Sequence, residues 1–385
     1  MEFTANKDEL KKAVAIVRKA LPKIIVQEER SHLLFRIRAG KAFIYGTNND
    51  LKARVRMELI ASDSDFEFTA DPKILEKLLS KIEGEEISAV FNDTDLTLKV
   101  FTRKGSKESF TTLQSFPANK MLTFEDPAGW EAGPVDREAL VFALRFAENY
   151  LAPAKDDQRI FDFVVINKGL TYAANGSNKM GFLVTKRLES IINLRVRKSV
   201  VPTLVSILNS LEDKQAWWNE NDREYYFFNE TGSVFFSYLK AVADPPPMPT
   251  KYLKAEGAYM KLKKQDLVRV LERLIVSMSQ AQGSGIELTV GGKGTEAYLD
   301  LGLVSSLKSR ERIVCERVDT SEEEIKHVVE YKQFKTMLES LAGEEDIHLY
   351  VNDESRSFKI YDKGKLGEEK YISVGVGGYS KVVGS

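Results

Sequence analysis

KDELKKAVAIVRKAL, residues Lys7–Leu21, sets Leu10, Val14, Val17 and Leu21 at spacings of three and four, which puts them on one face of a helix. Lys7, Lys11 and Arg18 fall on a flanking stripe, within roughly 40° of one another at about 100° per residue, with Lys12 and Lys19 turned further toward solvent. Such a helix can pack on a sheet and still offer cations outward. Strand text follows around Leu33–Leu59, where Phe35-Arg36-Ile37-Arg38 and Lys52–Met57 alternate polar with apolar. Asp71-Pro72 then opens a second helix, Asp71–Ile82, with Asp as N-cap and Pro at the first helical position. Leu75, Leu78, Leu79 and Ile82 form its apolar stripe and leave Lys73, Lys77 and Lys81 exposed one turn apart. More strands run through Ile87–Leu113, with Asn92-Asp93-Thr94-Asp95 as a hairpin turn.

The same order recurs twice. Helices are predicted at Asp136–Tyr150 and Arg197–Leu211, with strands at Phe161–Leu188 and Gln215–Lys240. They are predicted again at Lys263–Ser279 and Glu330–Ala342, with strands at Gly285–Val314 and Ile347–Val374. Gly40-Lys41, Asn167-Lys168-Gly169 and Gly291-Gly292-Lys293-Gly294 occupy equivalent turn positions. The chain is therefore an α+β threefold repeat, divided at 1–124, 125–250 and 251–385 into units of domain size. Pro117–Pro134 and Asp244–Lys254, the latter with Pro245, Pro246, Pro247 and Pro249, are the predicted linkers.

With 385 residues, 43% hydrophobic and 29% charged, the chain can build two or three cores. Its single cysteine, Cys315, cannot form an internal disulfide, and no leader-like stretch opens the sequence, so a reducing cytoplasm is expected. No apolar run approaches the roughly 18 to 20 residues of a membrane-spanning helix. The formal charge of −1 hides a division: the six predicted helices together carry +7 and everything else −8. Cationic helices in an anionic body suit a polyanionic partner. The simpler reading is that lysine favours exposed helix positions.

Signals for catalysis are absent from the line of sequence. His32, His327 and His348 are scattered, so neither a metal nor another cofactor is expected. The acidic groups at Glu83–Glu86, Glu322–Glu324 and Glu344–Asp346 adjoin helix ends or connections. Gly291–Thr295 reads GGKGT but lies between strands, not before a helix, and is a turn. Trp217-Trp218 and Tyr225-Tyr226-Phe227-Phe228 could stack on bases; strand alternation instead sends one of each adjacent pair into the core and the other outside.

Several strings resemble the bacterial type of DNA sliding clamp, the beta subunit of the replicative polymerase. They are Phe3-Thr4 with Leu10, Ala13, Val17 and Ala20-Leu21; Tyr45-Gly46-Thr47-Asn48-Asn49-Asp50-Leu51; and Phe110-Thr111-Thr112-Leu113 before Phe116-Pro117. Phe236-Ser237-Tyr238-Leu239 and the stretch Asp266–Leu288 complete a similarity that spans nearly the whole chain. The resemblance implies three clamp domains, each with two helices on an inner face and antiparallel sheets outside, in a head-to-tail homodimeric ring around double-stranded DNA. It implies no enzyme activity. The partners would be a DNA polymerase, for which the ring is a processivity factor, and a clamp loader that holds the ATP.

By that resemblance the DNA face would carry Lys7, Lys11, Arg18, Lys19, Lys23, Lys73, Lys77, Lys81, Arg197, Lys198, Lys264, Arg269 and Arg273. A peptide-binding pocket would be lined by Tyr172, Ala174, Gly176, Asn178, Met180, Met248, Ile372 and Val374. Phe110 and Thr112 would meet Ser277 and Met278 across the dimer seam. The family's histidine-arginine is here Ser177-Asn178, and its methionine-proline ending is replaced by Gly375–Ser385; a divergent, phage-encoded clamp is one explanation. A monomeric basic repeat scaffold that binds nucleic acid without encircling it, or a multidomain hydrolase or nuclease with a dispersed site, are the competing readings.

Overall fold

The computed structural model describes residues 1–22, 31–48, 50–104, 107–120, 132–151, 163–175, 179–240, 258–278, 285–304, 309–317, 324–341, 343, 345–352, 357–366, 368–378 and 380–381. Six helices stand among them: α1 (Lys7–Arg18), α2 (Pro72–Lys81), α3 (Arg137–Glu148), α4 (Val201–Leu208), α5 (Lys264–Met278) and α6 (Tyr331–Ser340). Asn6 caps α1 by accepting from the amides of Asp8 and Glu9, and Asp71 caps α2 with Pro72 in the first turn. The helix predicted from Arg197 begins instead at Val201. Arg197 is held in the strand Leu194–Arg197, opposite Phe163, and Pro202 can enter a helix only in its first turn.

Each repeat runs strand, helix, four strands, helix, three strands, apart from the two-residue strands Ala61–Ser62 and Ser380–Lys381. The strand before the first helix is missing from the sequence reading, because Glu2–Asn6, Gly133–Asp136 and Ala258–Lys263 run straight into the helix and their partner strands lie about 80 residues on. Each pairs with the strand that follows the second helix, as Ala5↔Ile87, Val135↔Ala216 and Leu262↔Ile347. Ala39-Gly40 and Lys168-Gly169 make two-residue hairpin turns with both residues at positive φ. In the third repeat the loop is longer, and Gly292 and Gly294 take the positive φ values.

One contact recurs at every helix pair. The first residue of the first helix is basic, and its side chain donates to the carbonyl end of the second. Lys7 Nζ donates to Ile82 O at 3.2 Å, Arg137 Nη1 to Leu208 O at 3.2 Å, and Lys264 Nζ to Leu341 O at 2.6 Å and Gly343 O at 3.0 Å. The amides of the same three residues donate to Glu85 O, Lys214 O and Glu345 O at 2.8, 3.2 and 2.9 Å. A helix leaves its last carbonyls without intrahelical donors and concentrates negative partial charge there, so a cation at that place satisfies both.

The chain divides into two compact units, Met1–Glu138 with Pro202–Lys240, and Ala139–Val201 with Ala241–Ser385. The first holds a five-stranded and an eight-stranded antiparallel sheet, the second a run of thirteen strands. In the first unit the last strand of repeat two, Val234–Leu239, pairs with Leu51–Glu58 of repeat one through Phe236↔Ala53. In the second, the last strand of repeat three, Glu369–Gly378, pairs with Lys179–Thr185 of repeat two through Phe182↔Val374. Sheets thus run from one repeat into the next, and the compact units follow these sheets.

In the first unit α1 lies on the sheet at Gly46, where an added Cβ would meet Val17, over a core in which Phe35 and Phe68 stack at 4.7 Å. In the second unit Gly181 and Gly375 leave room for the fully buried Tyr150, whose hydroxyl meets Ser340 Oγ at 2.6 Å. Alternation holds at Tyr225–Phe228, but the outward members meet an apolar cover, so all four side chains are buried. Tyr226, Phe228 and Phe235 form a separate apolar cluster with Trp217 and Ala132 on the second face of the sheet, which covers the side that alternation would leave wet.

The recurring cation is expected to be structural. Lys7→Met and Lys264→Met should each lower unfolding stability by about 1–3 kcal/mol, measured by urea denaturation, because a charge-assisted hydrogen bond and its helix-end attraction are both lost. Lys11→Met, on the same face but without such a contact, should change stability by less than about 0.5 kcal/mol.

Candidate functional site

The cations predicted for one face fall into distinct groups. Lys11, Lys73, Lys77 and Lys81 are exposed and form no ion pair among the described residues. The others are engaged. Arg18 pairs with Glu76 and ties α1 to α2, while Lys12 pairs with Glu212 at 2.8 Å. Lys19 donates to Ser206 O at 2.8 Å and to Ser210 Oγ, which ties α1 to α4, and burial lowers its pKa. Within the first unit α2, α1 and α4 are therefore joined in a row by their own basic side chains.

In the second unit α5 packs on α6, and α6 is joined to the end of α3 through Ser340 and Tyr150. Arg269 lies 3.9 Å from Asp266, and Arg273 makes a two-pronged contact with Glu311 at 2.8 and 3.0 Å. Lys264 and Lys7 cap neighbouring helices as above. Arg197 and Lys198 are half-buried ahead of α4, not on it. Lys23 lies outside the described residues. Side-chain partners of this kind are long-range in sequence, and only the structure reveals them.

The apolar candidates converge. Tyr172, Ala174, Met180 and Val374 join Phe182 and Val376 in one buried cluster, against which Leu170, Tyr361 and Ile372 pack as a partly exposed rim. Antiparallel pairing brings them together through Tyr172↔Phe182 and Phe182↔Val374. Phe182, Val376, Leu170 and Tyr361 were missed in the sequence; Leu170 and Val376 lie two residues along their strands from Tyr172 and Val374, and Phe182 and Tyr361 face those two across hairpins, so period-two alternation and hairpin register would have found them. Gly176, Asn178 and Met248 lie outside the described residues.

Two strand edges remain. Lys107–Gln114 pairs with Thr97–Lys104 alone among the described residues, and Phe110 and Thr112 on it are exposed, Phe110 by 58%. Arg310–Arg317 pairs along Gly294–Leu303, while on its other side Glu316 and Arg317 alone are paired among the described residues. Ser277 and Met278 close α5. Beside Phe110 an open groove of about 380 Å³ is lined by Leu78, Ile82 and Val100, among others.

No group of three or more His, Cys, Asp or Glu side chains suited to a metal occurs among the described residues. Cys315 is buried, which pushes its thiol up to about 11 and away from nucleophilic use at neutral pH. No described helix is long and apolar enough to cross a membrane.

The fold is that of the bacterial DNA sliding clamps. The DNA polymerase III subunit beta of Pseudomonas aeruginosa superposes with a TM-score of 0.80 at 14% identity, over 99% of this chain and 100% of that one. The corresponding subunit of Thermotoga maritima gives 0.78 at 14% over the same shares. A Pseudomonas aeruginosa clamp bound to griselimycin gives 0.79 at 15%, again over 99% and 100%. No protein-family model matches the chain, and no curated protein matches it. At such identities the backbone has kept a form that the side chains no longer spell.

Lys179, next to Met180, is 9% exposed; its Nζ donates to Asn149 O and lies 5.2 Å from the centre of the Tyr150 ring. Burial lowers its pKa to about 8. The folded state therefore binds fewer protons than the unfolded state between about pH 8 and the ordinary lysine value, and stability should rise with pH through that window. Thermal midpoints of the wild type relative to Lys179→Met should climb from pH 8 to pH 10; a flat difference would contradict the shift.

Proposed function

We propose that this chain is a DNA sliding clamp, a non-enzymatic ring that encircles duplex DNA and tethers a polymerase to it. The observation that carries the reading is the likeness to solved bacterial clamps over essentially the full length of both chains. The strand–helix repeat that underlies it, with a helix pair in each copy, supports a partition into three clamp domains at 1–124, 125–250 and 251–385. Contact with DNA would come from cations facing phosphates without reading bases, so binding would be independent of sequence. Lys11, Lys73, Lys77 and Lys81 are the foremost candidates, because they have no competing partner. Arg18, Arg269 and Arg273 would contribute by exchanging their carboxylates for phosphate.

The two strand edges support closure of the ring by a second copy. Leu51–Glu58 and Lys179–Thr185 each receive the last strand of the following repeat. Arg310–Arg317 is their counterpart in repeat three, and Lys107–Gln114 is the last strand of repeat one. Pairing these across two chains, head to tail, would complete the series. The groove beside Phe110 would accept the apolar end of α5, where Ile275 and Val276 are 41% and 71% exposed. The apolar cluster around Tyr172 and Phe182 would take peptide motifs from the polymerase and the loader, with Gly176, Asn178 and Met248 as further contributors. Action on chromosomal or phage DNA would place the protein in the cytoplasm.

Loaded on a nicked circle, the protein should stay bound until the circle is cut and then run off the ends. Equal retention on circular and linear DNA would reject encirclement. Replacing Lys11, Lys73, Lys77 and Lys81 by Ala removes eight cations from a two-chain ring and should lower the salt slope of duplex binding by up to about 7, at roughly 0.9 per phosphate contact. Phe110→Asp should shift the protein from dimer to monomer in sedimentation; an unchanged dimer would move the seam elsewhere.

A further inference from the structure

The hairpin formed by Ser357–Leu366 and Glu369–Gly378 carries an arrangement that the reading above does not use. Tyr361 stands opposite Val374, Lys363 opposite Ile372, and Lys365 opposite Lys370, so all six side chains share one sheet face. Val374 belongs to the buried apolar cluster, and Tyr361 and Ile372 form its rim. The next step along the same face is three exposed lysines, none in an ion pair among the described residues. Lys363 Nζ stays near the rim, 5.6 Å from the centre of the Tyr361 ring. The acids of the hairpin do not neutralise them: Asp362 is buried against the Gly343 amide, Glu368 is in the turn, and Glu369 alternates to the opposite face.

Like charges directly opposite one another on a sheet repel. Lys365 and Lys370 accept that cost next to an apolar rim, where an arriving anion would relieve it. We infer that this face docks a partner peptide whose acidic residues lie about four positions from its apolar anchor, the anchor on Tyr361 and Ile372 and the acids on Lys363, Lys365 and Lys370. The spacing follows from the strand: Tyr361 to Lys365 is four residues along Ser357–Leu366, about 13 Å, which an extended peptide covers in the same number. This inference rests on reading the apolar cluster as a peptide site. Charge complementarity and continuity with that cluster favour a peptide over duplex DNA, which has no apolar anchor to offer.

The test uses the full-length protein and fluorescent twelve-residue peptides with Leu-Phe four positions from an Asp-Asp-Glu block, made in both orders, and matched peptides with Ser-Ser-Gln. In one order the acidic peptide should bind about tenfold more tightly at low salt, with the preference shrinking as salt is added. Lys363→Ser, Lys365→Ser and Lys370→Ser combined should erase the preference and leave the uncharged peptide unaffected. Equal affinity for both peptides, no binding of either, or a preference that survives in the triple variant would overturn the inference. So would a triple variant that binds duplex DNA more weakly and peptides unchanged. Run-off from cut circles, measured on the same preparation, separates the cases: intact run-off with no acid preference sinks only this inference, whereas absent run-off sinks the clamp reading.

Discussion

The cation that joins the start of one helix to the end of the next is the constraint on which the repeat rests. It fixes two helices side by side through a backbone and a side-chain hydrogen bond from the same residue, Lys7, Arg137 or Lys264. The strand before that residue is thereby placed beside the strand after the second helix, and the sheet grows from this pairing. Arg137 keeps the role with a different side chain, which indicates that charge and reach matter there more than the ammonium itself.

Basic helices consequently serve two ends. Some of their positive charge is consumed in holding helices together, as at Lys7, Lys19, Arg18 and Lys264, and the remainder at Lys11, Lys73, Lys77 and Lys81 is left to solvent. A count of lysines overstates what a polyanion would meet. The exposed, unheld cations are therefore fewer than the composition of the helices implies.

Much of the fold was legible in the sequence because its signals are local. Leu10, Val14 and Val17 repeat at helical spacing, Asp71-Pro72 announces a helix, and the hairpin turns at Ala39-Gly40 and Lys168-Gly169 fall within one residue of the expected Gly40-Lys41 and Asn167–Gly169. The short strands ahead of each helix were not legible, since each runs without a break into the helix and pairs with a strand about 80 residues on. The start of α4 was misplaced because Arg197 and Lys198 look helical until the pairing with Phe163 is known. Tyr172, Ala174, Met180, Ile372 and Val374 were found through resemblance, whereas Phe182, Val376, Leu170 and Tyr361 would have followed from them by strand alternation and hairpin register. The fate of most basic residues depended on partners as far as 200 residues away, which no periodicity encodes; Arg269 and Asp266, three residues apart, are the local exception.

The middle repeat has its strands divided between the two compact units, one part completing the sheet of the first repeat and the other that of the third. A single repeat cut from this chain would leave raw hydrogen-bonding borders on both flanks. Such a fragment should stick to its own kind, so the covalent joining of three copies supplies within one chain the strand partners that a lone repeat would have to find in solution.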